Sequence, residues 1–591
     1  MAAAESRVAE AAPAAVNVRL SALEQFFFLR PLRKVYDRVR QPGSVGLMER
    51  LLREMRIEVR VAPDDLARIP QTGAALVVAN HPFGILDGAV LASLLPRVRP
   101  DVKLFTNYMV GAVEELADLC IYLDPFDRAS AHRVNVSGLR QAISHLKNGG
   151  LLAMFPAGEV SYWQFRHGEV TDPDWSPTVA RLARLTRATV VPVLFAGRNS
   201  IRYHLLGAVH SRLRTIQLPQ ELLNKTGKDV ELRVGTPVSA EKLCRIVPDQ
   251  QATNYLRWRT YLLRQRPAMA PATALQPGRR QQAVLPPLDR EAVADEIGAL
   301  GPQQELDENR EFRVYVSDAS RVPRAMLEIG RQRELAFREA GEGTGKEFDL
   351  DGFDVHYQHL ILWHRKDQQI AGGYRFANTA QVLPHHGLAG LYTNTLFWID
   401  PVFFERTGPA MELGRSFVRR EYQKQYSALL TLWKGLGRYL ATHPETPVLF
   451  GPVSISSTYR RRSRELLVEY FRSRRANPLS EWIRPRRPFR SSPLPDWQLR
   501  AIRYLLDLEE MSCSIAEIEG DGKGVPVLLR QYLKIGGELL AFNVDKDFSD
   551  ALDGLVLVDL RRTDPTRLET YMGKDGVSRF LEHHGALATS R

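Results

Sequence analysis

The sequence predicts an α/β protein built as two domains, and three observations carry this. The chain of 591 residues is too long for a single hydrophobic core. From Ala74 to about Val238, short apolar runs alternate with helix-patterned stretches, the mark of a layered α/β domain. A stretch rich in Pro, Ala and Gln, Arg266 to Leu288, then reads as a linker before a second unit that opens near Phe312. The expected divisions are a disordered tail over 1–18, a first domain over 19–265, a linker over 266–310 and a second domain over 311–591.

Composition narrows the function classes. Hydrophobic residues make up 44% and charged residues 25%, the balance of a folded soluble protein. The three cysteines, Cys120, Cys244 and Cys513, lie far apart in no metal-ligating spacing, which argues for a reducing compartment and against a metal site. The net charge of +12 suits an acidic membrane surface, nucleic acid or an acidic carrier protein. No ordered aromatic–basic motif accompanies it, so nucleic acid ranks last and is not expected as a partner.

In chain order, Met1 to Val16 is Ala-rich and lacks the apolar core of a signal peptide, so no export signal is expected. Leu20 to Arg40 sets Phe26, Phe27 and Phe28 among five basic residues, as in a helix that lies in a membrane interface or packs on its own domain. No run reaches the roughly 20 apolar residues that span a bilayer. The expectation is a cytoplasmic protein in peripheral contact with the inner membrane. Ala74 to Ala79 reads as a short buried strand that ends in Asn80-His81-Pro82, a turn signal, and Gly88 to Leu95 reads as a helix opened by Asp87. His81 and Asp87 meet only if the intervening loop folds back. Then the carboxylate fixes the imidazole tautomer, and Nε2 is free to take a proton from a hydroxyl. The other reading is a helix N-cap beside a turn histidine.

Downstream blocks favour the pair. Ile121 to Arg128, Phe155-Pro156-Ala157-Gly158-Glu159-Val160-Ser161 and Val190-Val191-Pro192-Val193-Leu194-Phe195 follow His81 and Asp87 in order. Together they resemble the glycerolipid acyltransferase family, in its branch with putative haemolysins and bacterial aminolipid synthases. That resemblance implies His81 as the catalytic base, Asp87 as its partner, and Arg128, Gly158 and Glu159 as substrate-binding residues.

The second unit is expected to run as a strand (Phe312 to Val316), an amphipathic helix (Pro323 to Phe337), an acidic Gly-rich loop (Glu342 to Asp354), a hairpin (His356 to Trp363 with Ile370 to Phe376) and a strand (Met411 to Val418). A helix (Ala428 to Ala441) and a strand (Pro447 to Val453) follow. A further helix, Val527 to Lys534, precedes a strand over Leu540 to Asp545. This order resembles the GNAT fold in its branch with acyl-homoserine-lactone synthases. The matching positions are Arg333 and Phe337, then Asp349, Asp351 and Asp354, then Arg375, then Glu412 and Arg415. Glu412 is the candidate base or amine-orienting group. The three aspartates are expected to form an anionic rim that attracts an amino acid with two amines. Their spacing lacks the later glutamate of an EF-hand, which argues against calcium. Gly435 and Gly437 have the spacing of a pyrophosphate loop inside a helical segment, which favours an acyl-carrier protein over coenzyme A as donor. Eleven arginines between Arg460 and Arg490 suit docking of such an acidic carrier, or of anionic lipid headgroups.

The whole chain resembles the bifunctional ornithine lipid synthases. By that resemblance the second domain transfers a 3-hydroxyacyl group from acyl-carrier protein to the α-amine of ornithine, with no cofactor beyond the donor. The first domain then O-acylates the 3-hydroxyl of the lyso-ornithine lipid. The alternatives are a glycerolipid O-acyltransferase fused to an N-acyltransferase for another amine such as glycine, and a non-enzymatic membrane-active protein.

Overall fold

A computed structural model describes residues 30–40, 46–107, 110–111, 113–123, 131–165, 168–209, 211–267, 281–474, 477–492, 494, 496–502 and 507–585. The tail over 1–18, the aromatic triplet Phe26 to Phe28, Arg128 and Arg475 lie outside these residues. The chain divides into two compact units: 1–269 with 494–506 and 516–520, and 270–493 with 507–515 and 521–591.

The first unit is organised on a seven-stranded sheet. Its strands are β1 (Glu58–Val61), β2 (Ala75–Ala79), β3 (Lys103–Asn107), β4 (Cys120–Leu123), β5 (Leu151–Met154), β8 (Thr189–Ala196) and β9 (Asp229–Val234), while β6 (Tyr162–Gln164) and β7 (Glu169–Thr171) form a separate hairpin. The spatial order is β1-β9-β8-β2-β5-β3-β4, parallel throughout except between β8 and β9. Every residue of β2 is buried, as a central parallel strand covered on both faces requires, and this explains why Ala75 to Ala79 is a continuous apolar run. The helix Ile85–Val98 sets Leu86, Val90, Leu91 and Leu95 into the same core as Val77 and Ala79. The loop between them is thereby pinned at both ends.

The second unit is an eight-stranded sheet. Its strands are β10 (Glu305–Glu308), β11 (Phe312–Asp318), β12 (Gln358–His364), β13 (Gln369–Asn378), β15 (Ala410–Val418), β16 (Val448–Ile455), β18 (Glu538–Asp545) and β19 (Ala551–Asp559), and β14 (Phe397–Ile399) pairs apart with β17 (Ile483–Pro485). The order is β10-β11-β12-β13-β15-β16-β19-β18. Only β15 and β16 run parallel, joined by the crossover helix Tyr426–Thr442, as a parallel pair demands. Their pairing covers Ala410 to Glu412 against Val448 to Phe450 and then stops, so the two strands fork. Arg415 has φ 49° at an irregularity in the pairing of β13 with β15, which turns β15 away from its neighbour.

Two expectations change. The described part of the span 266–310 holds a helix, Arg290–Gly298, and β10, because Val293 and Ile297 are buried with Met326, Ile361 and Trp363. The region after Val527 carries β19 as well as β18, and β19 is the direct neighbour of β16. Gly435 and Gly437 lie inside the helix Tyr426–Thr442, as expected.

Candidate active sites

The loop after β2 does fold back. His81 Nδ1 lies 2.9 Å from Asp87 Oδ2. The same oxygen accepts the backbone N–H of Phe83 (2.8 Å) and of Gly84 (2.9 Å), so one carboxylate oxygen gathers the whole turn. Gly84 has φ 82°, and a Cβ there would meet Leu218 at 2.8 Å, which explains the glycine. Asp87 is therefore the partner of the histidine and a first-turn acid of its helix, but not the N-cap: Gly84 holds that position, and Asp87, three residues on, accepts its backbone N–H.

Asp87 is fully buried. Burial pushes its carboxyl above the usual range, against the His81 ring and the two N–H groups, which favour the charged form. The His81 side chain keeps 17% exposure, so the ring is reachable from outside. It stacks on Phe155 with centroids 4.0 Å apart, and its backbone N–H donates to Asp172 Oδ1 at 3.1 Å. Asp172 also accepts from Ser161 Oγ and from Trp175 Nε1. Asn80 clips the end of β2 to β8, donating to Phe195 O (3.0 Å) and accepting from Phe195 N (2.7 Å). The histidine is thus held by three segments of the sheet's carboxyl end, where open parallel sheets place their sites. Asp172 and Phe155 carry no role in the sequence reading. No spacing rule links a histidine to an acid 91 residues later.

Of the substrate-binding candidates here, Gly158 forms the turn after β5, its N–H donating to Phe155 O at 3.0 Å. Ser161, three residues on, donates its N–H to His81 O at 2.8 Å. Glu159 points elsewhere, exposed and 3.3 Å from Arg214.

In the second unit the named positions do converge, but not as an anionic rim. Arg333 donates to Asp354 Oδ1 at 2.8 Å. Arg375 reaches Asp351 Oδ1 at 2.5 Å and Asp354 Oδ2 at 3.2 Å. Arg415 reaches Asp349 Oδ2 at 2.9 Å and Asp351 Oδ2 at 3.4 Å. Three guanidiniums neutralise three carboxylates, so the expected rim is an internal ion network with no charge left over. Burial would raise the Asp354 carboxyl, but Arg333 and Arg375 outweigh it and hold it well below the usual carboxylate range. His359 is buried in the same network and pushed down to about 4 by desolvation and by Arg333.

Glu412 is held by its neighbours. It is buried, Oε2 accepts from the Tyr357 hydroxyl, and Oε1 accepts from both the N–H and the hydroxyl of Thr393. Both oxygens accept hydrogen bonds from the protein, so Tyr357 and Thr393 fix the orientation of this carboxyl. Phe337 does face open space. It lies 5.1 Å from Phe548, and both line a pocket in the fork between β15 and β16 together with Arg415, Ser454, Asp545 and Asp553. Among the arginines after Arg460, Arg461 and Arg462 pair with Glu465, and Arg486 lies over Trp398 at 3.5 Å. Part of that cluster therefore serves the fold.

Comparison with known proteins assigns both units. A family model described as Acyltransferase matches residues 52–268, and one described as Acetyltransferase (GNAT) domain matches residues 332–434. A glycine N(alpha)-acyltransferase of Bacteroides thetaiotaomicron is 32% identical over 277 residues, covering 43% of this chain and 81% of that protein. The chain belongs to the family of this N-acyltransferase. A second member, a glycine N(alpha)-acyltransferase of Phocaeicola vulgatus, is 30% identical and covered over 84% of its length. A lyso-glycine lipid O-acyltransferase of Phocaeicola vulgatus is 27% identical over 189 residues, covering 31% of this chain and 65% of that protein. The chain is a bifunctional acyltransferase with an O-acyltransferase and an N-acyltransferase domain. No helix among the described residues is long and apolar enough to cross a membrane.

Proposed function

We propose that this enzyme makes a doubly acylated aminolipid in two steps. The second domain transfers a 3-hydroxyacyl group from acyl-carrier protein to the α-amine of an amino acid, which we take to be ornithine. The first domain then acylates the new 3-hydroxyl, with no cofactor beyond the acyl donor. The observation that carries the second step is the His81–Asp87 pair at 2.9 Å. Asp87 accepts the Nδ1 proton and leaves Nε2 to take the proton of the hydroxyl as its oxygen attacks the acyl carbonyl, an assistance of about 10²–10⁴-fold. An insoluble singly acylated intermediate favours tethering the two steps in one chain and favours work at the cytoplasmic face of the inner membrane. Arg128, Gly158 and the arginine-rich stretch after Arg460 are the candidates for contacts with donor or headgroup.

A second reading takes glycine as acceptor. The names of the relatives favour it, and so does the neutralisation of Asp349, Asp351 and Asp354, which removes the rim proposed to attract a second amine. Lipid mass spectrometry decides between them. In a host lacking aminolipids, the wild-type chain should yield one doubly acylated species whose headgroup mass names the amino acid. His81→Ala should accumulate its singly acylated form. A His81→Ala strain with an unchanged lipid profile would remove His81 from the mechanism.

A further inference from the structure

The fork of the second unit contains a buried carboxyl oxygen to which no described residue donates a hydrogen bond. Asp553 sits on β19, opposite Ser454 of β16, and is 4% exposed. Its Oδ2 has no hydrogen-bond partner among the described residues, and Asp553 is one of the residues lining the pocket with Asp545, Arg415 and Tyr392. A buried carboxyl oxygen without a donor is costly, and a ligand with N–H groups satisfies it. The neighbours sharpen the choice of ligand. Burial raises the Asp553 carboxyl well above its usual range, and the charges of Asp545 and Glu342 add to this against Arg415 alone. Arg415 is itself committed to Asp349 and Asp351. Carboxyls crowded in this way are relieved by a proton or by a cation, and an ammonium group supplies both a positive charge and N–H donors.

We propose that Asp553 is the proton acceptor for the amine in the N-acylation step and that, with Asp545, it forms the subsite for the acceptor's ammonium group at the open end of the fork. The inference rests on the reading of this unit as an amino-acid N-acyltransferase, and it places the proton acceptor at the pocket rather than at Glu412, which already accepts from Tyr357 and Thr393. In the step, the ammonium nitrogen gives one proton to Asp553 Oδ2. The freed lone pair attacks the thioester carbonyl carbon, the C–N bond forms and the carbonyl π electrons move to oxygen. Collapse of this adduct breaks the C–S bond, and the departing thiolate takes the second proton from nitrogen. Asp553 then returns its proton to water, so the amide, the thiol and one proton are the products. A carboxyl whose affinity for a proton is raised by its surroundings is better matched to an alkylammonium than an ordinary aspartate.

The test uses the full chain with an acyl thioester donor and two kinds of acceptor. One is the amino acid, ornithine and glycine in parallel; the other is methoxyamine, whose weakly basic nitrogen is already the neutral free base at neutral pH and has no ammonium proton to lose before attack. Asp553→Asn keeps shape and volume. It should lower kcat/KM for the amino acid by about 10²–10⁴-fold while changing methoxyamine transfer less than about tenfold. Asp545→Asn should raise KM for the amino acid more than it lowers kcat. Equal losses with both acceptors would mark Asp553 as structural and overturn the assignment, as would an Asp553→Asn enzyme with wild-type rates. A wild-type chain that acylates no amine overturns the reading of the unit and this inference with it, whereas failure of Asp553→Asn to behave as stated in an active enzyme overturns the assignment alone.

Discussion

Arg333 is 1% exposed and has Asp354 as its counter-ion, with Arg375 sharing that carboxylate and His359 accepting from the guanidinium at 3.3 Å. A buried pair of this kind adds little stability over an apolar replacement of the whole network, but removing one member strands the others. Arg333→Ala should therefore destabilise the second unit by about 3–5 kcal/mol, read from urea denaturation. Surface arginines such as Arg420, paired with Glu339 at 3.4 Å in an exposed contact, should cost under about 1 kcal/mol when truncated. Glu342 tests the opposite sign of electrostatics. Burial raises its carboxyl to about 7, against the hydrogen bond from Ser454. The folded state thus holds a proton that the unfolded chain releases near 4.5. The resulting stability is fully present below pH 4.5 and is lost as pH rises through 7, an effect of at most about 3 kcal/mol. Glu342→Gln should flatten that slope: equal in stability to wild type at pH 4, more stable at pH 8. A parallel pair of unfolding curves at both pH values would show that Glu342 is not the group responsible.

The fork is the element on which the second site depends, and one glycine sets it. At Gly451, just past the last residue of β16 that pairs with β15, a Cβ would stand 2.1 Å from the carbonyl oxygen of Leu413 on β15. That contact is backbone against backbone, with no flexible side chain to give way. Gly451→Ala should destabilise the unit by roughly 1–3 kcal/mol and lower N-acylation through the displaced pocket, whereas Gly352→Ala, which meets nothing within 4 Å, should leave activity intact. How far such elements were legible varies for physical reasons. The strand and turn around His81 read clearly because a buried parallel strand writes itself as a continuous apolar run and the partner acid lies six residues away. The charges of the loop over Glu342 to Asp354 were visible, but their neutralisation was not, because Arg333 approaches from an earlier helix while Arg375 and Arg415 approach from later strands. Asp553 carried no local signal at all. Its meaning comes from β19 lying next to β16, a pairing across about a hundred residues that periodicity does not encode.

At the scale of the whole molecule, two sheets of different topology carry two chemistries. One core gathers β2, β5, β8 and β9 with the helix Ile85–Val98; two others gather the strands and helices of the second unit. Division into two domains was readable from length and from the composition shift after Arg266, while the exact edge was not, since Val293 and Ile297 look like linker residues until their burial is seen. Separate cores imply that damage to one site leaves the other chemistry standing. His81→Ala removes only a ring that is partly exposed and stacked on Phe155, so it should abolish O-acylation while N-acylation keeps at least half of its wild-type rate. Gly451→Ala should do the reverse. Supplied with the singly acylated lipid, it should produce the doubly acylated product at the wild-type rate, although it makes little of the intermediate itself. Radiolabelled acyl transfer, with amine and lyso-lipid acceptors assayed on each full-length variant, reads both steps. Loss of both activities in His81→Ala would mean that the two steps share a residue, and the assignment of one reaction to each sheet would fail.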